Sequence, residues 1–206
     1  AAGQMGIEKF IFSSTGGAIY GEPDKIPATE KTPSTPLSPY GFSKFIGEEC
    51  IKFYARMYDF DYLIFRYPNV YGPRQNPKGE AGVVAIFADL IINNKQPTIF
   101  GDGTKNRDYI YIDDIVKANI AALQKGKNEI VNLGWGKKIT DQMVFNEIAK
   151  NLNFKKKPIY APYRAGEVYQ IALNAQKAKK ILGWKSTISF QKGIKKYINI
   201  TYSHLI

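Results

Sequence analysis

Along the chain, short apolar or β-branched runs alternate with longer stretches whose apolar residues recur every three or four positions, the pattern of an α/β fold with a largely parallel sheet. Ala1–Gly6 reads as a helix end with a glycine stop, leading into a strand over Lys9–Ser13 and a loop rich in Gly, Pro, Ser and Thr over 14–39. From Tyr40 to about Met57, the residues Phe42, Phe45, Ile46, Cys50, Phe53, Tyr54 and Met57 recur at helical spacing behind Pro39. They predict a helix that lays this face on the sheet. A strand over 61–66, a loop over 67–82, a helix from Val83 to Asn94 and short strands over 97–100 and 108–112 follow. Asp113 or Asp114 is expected to cap a helix reaching about Gln124, and Thr140 or Asp141 one reaching about Leu152, with a strand over 129–133 between. The remainder predicts a short strand, a helix near 174–182 stopped by Gly183, and an amphipathic helix near 189–202.

Composition narrows the chemistry. A chain of 206 residues, 44% hydrophobic, buries a real core. Its single cysteine, Cys50, forms no intramolecular disulfide, and its single histidine, His204, stands at the far end, so neither histidine-based acid–base work nor a metal site is expected. No apolar run reaches the roughly 18–20 residues of a membrane span and no secretory pattern opens the chain, so a cytoplasmic protein without a membrane partner is expected. The net charge of +11 raises nucleic acid or an anionic ligand as a partner. The lysines lie in dispersed clusters (155–157, 177–180, 192–196) on polar faces, and no nucleic-acid motif accompanies them, so no nucleic-acid role is expected.

Tyr40-Gly41-Phe42-Ser43-Lys44 puts a phenol and an ammonium four residues apart on one helix face. An ammonium favours the phenolate, which suits a tyrosine to take a hydroxyl proton as hydride leaves the same carbon. With 14 tyrosines in the chain the spacing alone is a weak signal. Four further segments strengthen it. The strand-to-loop run Phe10-Ile11-Phe12-Ser13-Ser14-Thr15-Gly16-Gly17 comes before it, and Arg66-Tyr67-Pro68-Asn69-Val70-Tyr71-Gly72 after it. Gly101-Asp102-Gly103-Thr104-Lys105-Asn106-Arg107 and Arg164-Ala165-Gly166-Glu167 then follow in order. Together they resemble the extended short-chain dehydrogenase/reductase family, and within it the NAD-dependent epimerases and dehydratases of the UDP-glucose 4-epimerase type.

The resemblance implies a partial Rossmann-like, doubly wound parallel sheet, its N-terminal half missing, with a small C-terminal substrate-binding lobe. Residues 1–70 would be the remaining NAD-binding part and 71–206 mainly the lobe, with 108–133 returning to the sheet. It implies Thr15, Tyr40 and Lys44 as catalytic residues, with Thr15 bonding the reacting sugar oxygen. Ser13, Tyr40, Lys44, Tyr67 and Pro68 would face NAD. Thr15, Asn69, Val83, Ile99, Arg107, Arg164 and Glu167 would face a nucleotide sugar, the arginines taking the diphosphate and Glu167 the ribose. The family's G-x-x-G-x-x-G turn, which seats the dinucleotide pyrophosphate on a helix N-terminus, does not occur, so the NAD site is incomplete. A truncated chain inactive by itself is expected, whether a fragment, a natural truncation needing a partner, or a protein that no longer catalyses. Gly16 and Gly17 stand where the family's dehydratases carry an acidic pair, which favours epimerisation by oxidation and re-reduction at C4 of a UDP-glucose or UDP-galactose type of substrate. Ile171 stands where the family limits room beside the sugar and is expected to admit N-acetylated sugars. A non-catalytic sugar-nucleotide-binding fragment, or another family member such as a dehydratase or reductase, remains the alternative. By the same resemblance, a homodimer through the Tyr40 helix is expected.

Overall fold

The computed structural model describes residues 1–78 and 82–203; His204 and residues 79–81 of the predicted loop lie outside them. Strand β1 (Lys9–Thr15) follows a single 3-10 turn closed by Gly6 at φ 70°. Next come α1 (Gly16–Ile19), inside the predicted loop, then α2 (Pro39–Tyr58), β2 (Asp61–Tyr67), β3 (Asn69–Tyr71) and α3 (Val83–Ile92). They are followed by β4 (Thr98–Phe100), β5 (Asn106–Arg107), β6 (Tyr109–Tyr111), α4 (Ile112–Ala122) and β7 (Glu129–Asn132). The chain continues through β8 (Ile139–Thr140), α5 (Asp141–Asn151), β9 (Ile159–Ala161), α6 (Gln176–Leu182) and α7 (Phe190–Thr201).

The central sheet is parallel, in the order β1-β2-β7. β1 runs two residues past the predicted strand because its pairing with β2 is unbroken from Lys9↔Asp61 to Thr15↔Tyr67. Leu63, Ile64 and Phe65 of β2 are fully buried in succession, as a strand covered on both faces requires. On one face Leu63, Phe65 and Val131 pack with Ile115, Ala118 and Ala122 of α4 and with α6. A separate core forms where α3, α5 and α7 enclose Tyr71, Tyr109 and Tyr111, the aromatic residues of the parallel pair β3–β6. Two further pairs, β4–β9 parallel and β5–β8 antiparallel, stitch the later segments together.

The opposite sheet face belongs to α2, but not through the stripe that hydrophobic spacing predicts. Phe42, Ile46, Phe53, Tyr54 and Met57 are between 43% and 61% exposed, and Cys50 is exposed as well. The inward stripe is Gly41, Glu48 and Ala55, with Lys44 and Phe45 beside it. A glutamate can hold that position because Arg66 of β2 donates to it at 2.6 and 3.0 Å and Ser14 of β1 at 2.5 Å, leaving Glu48 0% exposed. Arg66 also lies over the Tyr20 ring at 4.9 Å. Burial alone would lower its pKa; the bonds to Glu48, the Glu48 charge and the Tyr20 phenol together outweigh this and hold it above the ordinary arginine range.

Helix entries follow the capping rule in α2, α5 and α7, where Ser38, Thr140 and Ser189 accept from the third residue on. α4 departs from it. Tyr111 is the capping position, and Asp114 instead accepts from the Thr187 and Ile188 N–H groups at 2.7 and 3.0 Å, so it binds the approach to α7 rather than its own helix. Asn174 accepts from Gln176 N–H at 2.9 Å at the entry to α6.

Candidate functional site

The C-terminal end of β1, the start of α2 and the end of β2 meet around α1. A Cβ on Gly41 would fall 2.6 Å from the Ala18 carbonyl oxygen, so only glycine lets the first turn of α2 approach α1 this closely. That approach leaves Tyr40 53% exposed at the rim. Lys44, one turn on, donates to the Ser13 carbonyl at 2.9 Å and sits 5.0 Å from the Phe12 ring centre and 5.9 Å from that of Tyr40. Its ammonium is thus fixed by the backbone of β1 rather than free in solvent. Thr15 is buried at the strand end. Ser13 donates to the Tyr67 hydroxyl at 3.4 Å, which donates to Asn119 at 2.9 Å, and Pro68 is buried between β2 and β3. A Cβ on Gly17 would meet Asn69 Oδ1 at 3.3 Å and Thr15 Oγ1 at 3.9 Å, so both side chains converge over that residue.

A cleft of about 500 Å³ opens beyond Asn69. Asn69, Val83, Ile99, Arg107, Arg164 and Glu167, drawn from segments nearly one hundred residues apart, all line it. Phe87 and Leu90 of α3 supply an apolar wall. Arg164 is laid over the Phe100 ring at 3.5 Å, and Arg107 donates to the carbonyls of Asn106 and Tyr169 at 2.9 and 3.2 Å. Tyr109 also lines the cleft, and its hydroxyl is buried with no partner among the described residues. A separate concavity of about 310 Å³, between residues 1–4 and Tyr54 and Tyr58 of α2, contains none of these groups. Ile171 is 1% exposed and packs in the core with Ile19, Tyr20 and Leu173, so it forms no part of the cleft wall.

The motifs do not announce three contributors. Lys105 and Asp141 join the cleft, their ammonium and carboxylate 3.3 Å apart. Burial raises the Asp141 carboxyl pKa while Lys105 opposes it. Asp108, next to Arg107, is 1% exposed and accepts N–H groups from Trp135 at 3.0 Å, Gly136 at 2.9 Å and Leu173 at 3.0 Å. Burial raises it to about 6 despite those bonds. It pins the segments after β7 and before α6 against β6, and its own carbonyl accepts from Asn69 N–H at 2.9 Å.

A sequence profile of the NAD dependent epimerase/dehydratase family matches residues 1–134. A provisionally named UDP-glucose 4-epimerase of Methanocaldococcus jannaschii is 51% identical over 193 residues, covering 94% of this chain and 63% of its own length. The crystal structure of the Thermotoga maritima UDP-glucose 4-epimerase with UDP-glucose superposes with a TM-score of 0.96 at 44% identity, covering all of this chain and 67% of that one. The Thermus thermophilus UDP-glucose 4-epimerase in complex with NAD gives 0.89 at 38% identity, covering 96% and 65%. The chain thus spans about two thirds of the length of the relatives it matches.

Proposed function

The chain belongs to the NAD dependent epimerase/dehydratase family, and from that premise we propose that it is the catalytic, substrate-facing part of an NAD-dependent UDP-sugar 4-epimerase. The observation that carries the reading is the convergence of Thr15 and Asn69 between the Tyr40–Lys44 turn and a cleft lined by two arginines. Arg107 and Arg164 bind the diphosphate by charge-assisted hydrogen bonds. The hexose then lies toward Thr15, which bonds the C4 oxygen, and Tyr40 removes the C4 hydroxyl proton. Lys44, anchored on the Ser13 carbonyl, keeps a positive charge beside the phenol. The 4-keto sugar turns over in the cleft so that C4 presents its other face for the return of the hydride, and Tyr40 gives the proton back to the C4 oxygen.

The residues present fit the nicotinamide end of NAD. The Lys44 ammonium and the exposed Ser13 can bond its ribose, and Tyr67 and Pro68 flank the same edge. NAD held by these residues would supply the acceptor and donor for the C4 hydride. The pyrophosphate end finds no Gly-rich turn in this sequence. Epimerisation is favoured over elimination because Gly16 and Gly17, directly after Thr15, supply no acid. The exposed stripe of α2, from Phe42 to Met57, is apolar enough to be the seat of a second copy of the chain.

Calorimetric titration of the chain with UDP, NAD⁺ and a mixed oligonucleotide tests the reading: UDP binds, and tight, salt-sensitive oligonucleotide binding overturns it. In a chimera completed with the remaining part of the Thermotoga maritima relative, Tyr40→Phe abolishes turnover and spares UDP affinity. A Tyr40→Phe chimera that still epimerises refutes the role of Tyr40, and a UDP-binding chimera without turnover leaves the chain a binding module.

A further inference from the structure

Lys105 has no task in the mechanism above, yet its environment is among the more elaborate in the cleft. The side chain is 11% exposed and its ammonium is held between two carboxylates, Asp141 at 3.3 Å and Glu167 Oε2 by a hydrogen bond. Both carboxylates line a cleft whose arginines suit an anionic ligand. A carboxylate facing phosphate oxygens is repelled, so in such a cleft it serves a ligand only by accepting from neutral donors. Glu167 has that capacity on one side: Oε2 is taken by Lys105, while Oε1 lies 3.9 Å from Arg164 Nη1, beyond hydrogen-bond length. The neutral donors a nucleoside diphosphate carries close to its phosphates are its ribose hydroxyls. A carboxylate free to swing binds such a hydroxyl at the entropic cost of ordering its own side chain; one already held by an ammonium does not.

Resting on the nucleotide reading of this cleft, we propose that Lys105 is a positioning residue that makes the site selective for ribonucleoside over 2′-deoxyribonucleoside diphosphates, by fixing Glu167 as the acceptor of the 2′-hydroxyl. Asp141 anchors the lysine from behind. It is joined to it through the β5–β8 pairing and through its own N–H, which donates to the Lys105 carbonyl at 3.0 Å.

The test is calorimetry with UDP and 2′-deoxy-UDP, which differ in one hydroxyl, and the readout is the ratio of their dissociation constants, which a purely structural role of Lys105 leaves unchanged. The chain is expected to prefer UDP by about tenfold or more, the size of a hydrogen bond to a charged acceptor. Lys105→Met and Glu167→Ala each bring the ratio below about threefold, and Lys105→Arg retains it. Failure of the unaltered chain to bind UDP removes the nucleotide reading itself. Equal affinity for both nucleotides leaves that reading standing and overturns this proposal, as does an undiminished ratio in Lys105→Met. Should Lys105→Met not fold by circular dichroism, Glu167→Ala, altered at a side chain 32% exposed, decides: an unchanged ratio there overturns the proposal.

Discussion

Replacing Asp108 by asparagine sets two opposing effects against each other, and pH separates them. The carboxylate accepts three backbone N–H groups; an asparagine carbonyl in the same place accepts two at most and turns its amide toward the third. A buried donor left unpaired costs about 1–3 kcal/mol. Against this, the wild-type side chain is charged at neutral pH in a site that disfavours charge, its pKa standing near 6 instead of 3.8, and asparagine removes that cost. A folded-state value above the unfolded one means that the folded chain binds more protons between the two. The contribution of Asp108 is therefore fully present below pH 3.8 and is lost as pH rises through about 6. Integrated from pH 7 to about pH 4.5, the wild type gains about 2 kcal/mol that Asp108→Asn does not. The two proteins are thus expected to be close in stability at pH 7, and the variant to fall behind by about 2 kcal/mol at about pH 4.5. Urea melts at both pH values with fixed slope measure this, and the difference between the two proteins cancels the titration of every other carboxylate. A difference that stays flat with pH refutes burial as the force acting on Asp108.

Glu48→Ala strands Arg66 in the interior and lowers the unfolding free energy by roughly 3–5 kcal/mol; a urea midpoint equal to that of the wild type would show that the pair holds nothing together. Exchanging both partners for Leu and Met recovers most of the loss, since no charge is then orphaned. On the outer face of α2, Phe53→Ser with Met57→Ser leaves stability within about 0.5 kcal/mol and turns any dimer seen by sedimentation into monomer. A marked loss of stability would instead place that face in the core.

Local signals made much of the fold legible. β2 is recognisable because Leu63, Ile64 and Phe65 form an unbroken apolar run, and the start of α5 because Thr140 offers a hydroxyl three residues ahead of Met143 N–H. The orientation of α2 was not legible. Counting apolar residues finds the stripe from Phe42 to Met57, whereas the buried side is defined by Glu48, whose partner Arg66 lies on another element. Asp114 deceives in the same way, since an acidic residue at a helix start looks like a cap until Thr187 and Ile188 fold back onto it. For the candidate site, short motifs single out Asn69, Arg107, Arg164 and Glu167, which share one cleft. Lys105 and Asp141 escape because the pairing of Asn106 with Thr140 is what brings them together, and no spacing within the chain encodes it.

Among the described residues β1 is bonded on one side only, and for this stretch of chain by itself that has a colloidal consequence. A strand bonded on one side offers a row of peptide groups to any passing strand, and here Tyr54 and Tyr58 of α2, both partly exposed, line one concavity with Phe10 of β1. What keeps copies apart in dilute buffer is their common charge of +11, a repulsion that reaches only about 10 Å at 0.1 M salt and about 3 Å at 1 M. Salt therefore removes the barrier while leaving the sticky margin intact, and the solubility of this chain falls as ionic strength rises.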